Sequence, residues 1–218
     1  MPLVPWWVLL SSQCAPVMLI SGWTLAATMQ PAGYDPMVQS ISSLAAQGAA
    51  DRWLMTGALF LLGVCHIVTA FGLRAAALHG RLLLAFGGLA VVLVALSPEP
   101  DGGTSVRHLT ATAVGFTALA LWPILAGARG GPGSAAWALK PRVGYTATAL
   151  MAAGAAWLLI ELHGHGDAGL VERILTAVQS VWPLVVVAAC LGARFRPAAQ
   201  PPAAEAVMAR GDCADRSR

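Results

Sequence analysis

The polar positions along the chain come in clusters separated by six long apolar stretches. These run from Val4 to Thr28, Trp53 to Ala76, Leu82 to Leu96, His108 to Ala126, Val143 to Leu162 and Ile174 to Ala193. At about 1.5 Å per residue, most of them are long enough to cross about 30 Å of hydrocarbon. The third is the shortest. Backbone groups in lipid must be paired within the segment, so each stretch predicts a helix; the alternation of a membrane barrel strand is absent. The reading is an all-α integral membrane bundle of six transmembrane helices over residues 1–196. A Pro-, Ala- and charge-rich tail, 197–218, reads as disordered.

Between the first two stretches, Asp35-Pro36 reads as an N-cap followed by proline at the first helical position. Ile41, Leu44 and Ala45 follow at helical spacing, and Gly48 sits where a C-cap belongs. The spacing predicts a short amphipathic helix over Met37 to Gln47, lying on the outer surface. Pro16, Pro123 and Pro183 fall inside spanning segments, where each should kink its helix.

Composition agrees with a lipid solvent: 57% of residues are hydrophobic and 11% charged, with a mean hydropathy of +0.69. A soluble domain carries about 25% charged residues. The placement of charge adds an orientation. With the N-terminus inside, ten of the 13 Lys and Arg residues fall on the inner side, and only Arg52, Arg107 and Arg173 lie outside. Both termini are then cytoplasmic, in a cell membrane. Asp35, Asp51, Glu99, Asp101, Asp167 and Glu172 fall on the outer side. No basic run interleaved with aromatics points to nucleic acid. Cys14, Cys65, Cys190 and Cys213 show neither a CxxC pair nor zinc-ribbon spacing.

Candidate chemistry therefore gathers at the outer face. Asp101 and His108 are candidate catalytic groups, a carboxylate that can orient an imidazole for acid/base work. Asp35, Ser42, Ser43, Arg52, Arg107, Glu172 and Arg173 are candidate ligand-binding residues. The three arginines either pair with neighbouring acids or converge on an anion such as a lipid headgroup, using the guanidinium fork. His163 and His165, in His-Gly-His-Gly-Asp, form a candidate metal pair for which zinc is the natural ion; a solvated loop is the plain alternative. His66 lies deep in the second stretch. It reads either as a proton relay or as a neutral imidazole bonded to Ser11, Ser12, Gln13 or Gln179. Haem ligation is not expected, because no second deep histidine exists.

Several short motifs carry a resemblance. They are Tyr34-Asp35-Pro36, Gln39-Ser40-Ile41-Ser42-Ser43-Leu44, Pro100-Asp101, His108, and Gly169-Leu170-Val171-Glu172-Arg173 before a Trp-containing last helix. In their order the chain resembles the bacterial membrane proteins grouped as domain of unknown function 998, over most of Val4 to Ala193. The resemblance implies a multi-spanning membrane protein and supplies no reaction. The chain is also similar in outline to membrane hydrolases with a Ser, an Asp and a three-histidine zinc site. It departs from them in lacking a regular histidine pair on the last helix. Three functions follow as expectations: binding or moving a lipid or small amphiphile through an outer-facing polar pocket; a hydrolase or transferase acting on a lipid at the outer leaflet, with or without a metal; and a structural or assembly partner. Membrane lipids are the expected partners.

Overall fold

A computed structural model describes residues 4–101, 103–127, 136–164 and 166–194. The tail 197–218, His165 and most of the Gly/Pro/Ser segment 130–136 lie outside the described residues. The described residues form six α-helices: α1 (Trp6–Thr28), α2 (Trp53–Gly72), α3 (Leu78–Ala95), α4 (Val106–Leu125), α5 (Pro141–Gly164) and α6 (Ala168–Arg194). All six are long and apolar enough to span a membrane. The protein is an all-α, multi-pass membrane bundle. Pro16, Pro123 and Pro183 lie inside α1, α4 and α6.

Two helices extend beyond their apolar stretches. α3 begins at Leu78, before Arg81, because that arginine finds acceptors: its guanidinium donates to Ala70 O and Phe71 O at 2.8 Å each, satisfying carbonyls at the end of α2. α6 begins at Ala168, so Glu172 and Arg173 sit on its opening turns rather than in a loop.

Each helix packs on the next in sequence, and α6 closes the ring against α1. α2 and α3 approach at Gly63 and Gly88. A Cβ on Gly63 would lie 2.5 Å from Gly88 O, and one on Gly88 would lie 2.7 Å from Gly63 O. Backbone contact of this kind is the use small residues have in membrane bundles.

The two ends of the ring differ. One, here the terminal end, carries the start of α1 and the close of α6. Val4, Val8, Leu73, Leu84, Trp122, Val186 and Val187 fill it with buried apolar side chains. The other, the loop end, carries the α1–α2, α3–α4 and α5–α6 connections. Leu19, Ile41, Leu44, Met55 and Leu62 belong to its core.

The amphipathic helix expected over Met37 to Gln47 does not form. Only a 3-10 turn, Ser42–Ala45, appears there. Asp35 does accept from Met37 N through its side chain, at 2.8 Å. The carbonyls that helical bonds would consume are instead taken by α6: Met37 O and Val38 O accept from Leu170 N and Gly169 N, at 2.8 and 3.2 Å. The loop thus pairs donors that the first turn of α6 would otherwise leave unsatisfied. Gly169 permits the approach, since a Cβ there would meet Gln39 O and lie 2.7 Å from Pro36 O.

Candidate functional site

The first loop, Gln30 to Arg52, folds over the loop end and is held at both edges. Gln30 brackets Ala50 with two bonds, Nε2 to Ala50 O at 3.0 Å and Oε1 from Ala50 N at 3.3 Å. Gln47 N donates to Glu99 O on the α3–α4 connection, at 2.9 Å. Arg173 makes the firmest clamp. Its guanidinium donates to Pro36 O (2.6 Å), Gln39 O (2.9 Å), Gly169 O (2.9 Å) and the Tyr34 hydroxyl (2.6 Å). Burial pushes the Tyr34 hydroxyl above its ordinary pKa, and the Arg173 guanidinium opposes that shift.

Beneath this loop lies a cavity within the ring, offering about 60 Å³ to the centres of water-sized molecules. That is room for about four waters, or for a short apolar chain. Its roof is Ile41 and Ser42. Its apolar walls include Leu19, Leu59, Leu62, Val91, Val94, Phe116 and Leu119. The polar groups reaching it are Ser42, Glu172, Thr176 and Ser180, with His66, Thr112 and Gln179. Among the described lining residues none comes from α5.

At the roof, three loop-end elements meet. Ser105 caps α4, accepting from His108 N at 3.4 Å, and so starts the helix where its imidazole turns inward. His108 is 3% exposed. Its Nδ1 lies 2.9 Å from Ser97 O and its Nε2 3.0 Å from Ser42 Oγ. A carbonyl can only accept, so Nδ1 carries a proton and, in the neutral ring, Nε2 accepts from the Ser42 hydroxyl. Glu99 Oε1 stands 4.0 Å from the same Nε2. On the adjacent wall, buried Glu172 accepts from Ile41 N at 2.9 Å.

The remaining residues singled out in the sequence lie elsewhere. Asp101 is exposed and stands over Gly48, where a Cβ would be 2.5 Å from its Oδ1; the carboxylate beside His108 is Glu99. Asp35 caps its own turn. Ser43 donates to Ser40 O at 2.7 Å, stiffening the loop. The Arg52 guanidinium stacks on Trp53, 4.1 Å from the ring centre, and Arg107 is exposed. The three arginines therefore do not converge: Arg173 is occupied by the loop, and neither of the other two lines the cavity. His163 is exposed on α5 with Nδ1 2.7 Å from Leu159 O. Asp167 N donates to Glu161 Oε2 at 3.1 Å, bracing the α5–α6 turn. His165 lies outside the described residues. Among the described residues no three His, Cys, Asp or Glu side chains come together as a metal site.

His66 departs from the expected hydrogen bond. It is 1% exposed, lines the cavity, and neither ring nitrogen has a partner among the described residues. Ser11 bonds Thr69 and Val8 O, Ser12 bonds Leu9 O, and Gln179 donates to Phe116 O. Sequence reasoning gave Ser97 and Thr112 no role at a site, and named Gln179 only as a partner for His66. Only a polar residue inside an apolar run marked the last two.

No curated protein and no solved structure matches the chain. The sequence profile of one family does match, over residues 14–189, which takes in α2 to α5 whole, most of α1 and α6, and every cavity residue named above. The chain belongs to the family described as Protein of unknown function (DUF998).

Proposed function

We propose that this protein binds a small amphiphile in the loop-end cavity, with the apolar part among the helices and a cationic head at Glu172. The carrying observation is the composition of the cavity: apolar walls with one carboxylate and no cation among the lining residues. A cation brought to that carboxylate lets each charge offset the desolvation of the other, where an anion would add repulsion to desolvation. The small volume favours a single short chain over a two-tailed lipid. In the orientation given by the Lys and Arg distribution, the cavity opens towards the outer leaflet, with both termini cytoplasmic.

The test compares octylamine with octanoate, equal in chain and opposite in charge, by thermal unfolding of the detergent-solubilised protein. Octylamine is expected to raise Tm in a saturable way while octanoate does not. Equal effects, or a preference for octanoate, would refute the charge assignment.

A second reading, a hydrolase or transferase, draws on the Ser42–His108 contact at the roof. As first drawn from the sequence it needed Asp101, His108 and either His163 or His165 about one reacting atom; Asp101 and His163 do not meet at His108, and His165 lies outside the described residues.

A further inference from the structure

We propose that Ser42 and His108 form a nucleophile–base pair that transfers the acyl group of an ester or amide whose chain enters the cavity. The inference rests on the pocket reading above and adds covalent chemistry to it.

The geometry has the parts that activating a hydroxyl requires. Ser42 Oγ is 3.0 Å from His108 Nε2, within reach for proton transfer. The base is itself oriented: Ser97 O, 2.9 Å from Nδ1, holds the ring in the tautomer that leaves the Nε2 lone pair facing the hydroxyl. Glu99 Oε1, 4.0 Å from Nε2, stabilises the imidazolium that forms when the proton moves. Both Ser42 and Glu172 line the cavity, and Ile41, which precedes Ser42, is the residue whose N–H Glu172 holds. A cationic head at Glu172 thus lies close to the nucleophile.

The step balances without a metal or redox partner. Ser42 Oγ bonds to the acyl carbon and its proton passes to His108 Nε2. The bond to the alcohol or amine breaks, and that leaving group takes the proton from Nε2. Water then attacks the acyl-serine, gives a proton to Nε2, and releases the carboxylic acid as Ser42 recovers its hydrogen.

A latch that merely fixes the loop to α4 would have the same hydrogen bonds and no reactivity. The distinguishing probe is an alkyl fluorophosphonate, read by intact mass and peptide mapping of the purified full chain. Attack forms a Ser42 O–P bond, expels fluoride and sends the proton through His108. One adduct on Ser42 is expected in the wild type. Ser42→Ala should abolish it, His108→Ala should slow it by about a hundredfold, and Ser21→Ala, on α1 and outside the cavity lining, should label normally. The octylamine shift in Tm, measured on the same preparations, reports whether each variant keeps its pocket. No adduct on a wild type that octylamine stabilises would overturn the inference and leave the pocket reading standing. Persistent labelling in Ser42→Ala, or an unchanged rate in His108→Ala, would overturn it as well. An adduct on Ser42 without an octylamine shift would support the pair and refute the amine-selective pocket.

Discussion

The terminal and loop ends of one helical ring solve opposite problems. At the terminal end, Trp122, Leu73, Leu84, Val186 and Val187 pack together as buried apolar side chains, and Arg81 lies at the rim with its charge spent on carbonyls. At the loop end, the same helices part enough to leave a cavity, and buried polar groups reach it: Glu172, His66 and Gln179. Close packing gives stability and cavity space within the core reduces it; unpartnered polar atoms do not separate the two ends, since His66 at one and Trp122 Nε1 at the other both lack a partner among the described residues. The difference teaches that the loop end gives up stability for a site, while the terminal end supplies the rigidity that holds the helices apart. The first loop belongs to this division. Its backbone serves α6 as a cap and the cavity as a roof, and Arg173 welds the two.

That contrast can be broken most forcefully at its stable end. Trp122→Ala should cost about 3–5 kcal/mol in unfolding free energy, as loss of a large buried aromatic does. It should leave octylamine selectivity intact, as checked by chemical denaturation with and without the amine. A large loss of binding from that change would show the two ends are not separable. Next comes the seam between loop and helix. Gly169→Val forces a side chain against Pro36 O and Gln39 O, with an expected cost of about 1–3 kcal/mol and faster proteolysis of the first loop. Arg173→Gln removes the clamp and should cost about 1–2 kcal/mol, with raised hydrogen exchange confined to the first loop and the start of α6. Smaller and opposite in sign is His66→Leu. Replacing a buried imidazole without partners should stabilise the protein by about 1 kcal/mol while weakening octylamine binding; destabilisation would mean that His66 has a structural partner. At the bottom of the scale, His163→Ala should change neither stability nor binding beyond about 0.5 kcal/mol, because its side chain is exposed on α5.

How much of this could be read from the sequence follows from which interactions are local. Six helices, with their rough limits, were legible because hydrocarbon demands long apolar runs. The N-terminal extension of α6 was not, because charge at Glu172 and Arg173 breaks the run although both side chains find partners in a loop more than a hundred residues earlier. The same distant pairing misleads about Met37 to Gln47. Its helical spacing is real, but its carbonyls are claimed by α6. Ser42, His108 and Glu172 could each be singled out as polar residues at one face. Their grouping could not: the nearest carboxylate motif to His108 along the chain suggested Asp101, whereas folding sets Glu99 beside it and Ser42 above it. Nothing local distinguishes Ser42 from Ser40 or Ser43. His66 was visible as an anomaly of depth, about 20 Å of helix from Trp53. Its lack of a partner among the described residues depends on where Ser11, Ser12 and Gln179 turn, which no local pattern states.

The central claim is that a carboxylate at the loop end selects a cationic amphiphile. It is tested most directly by measuring octylamine binding to the wild type and to Glu172→Gln side by side, at one pH and detergent concentration. The account predicts at least a tenfold weaker affinity in the variant, with its fold retained. Equal affinities would contradict it and move the amphiphile's head away from Glu172.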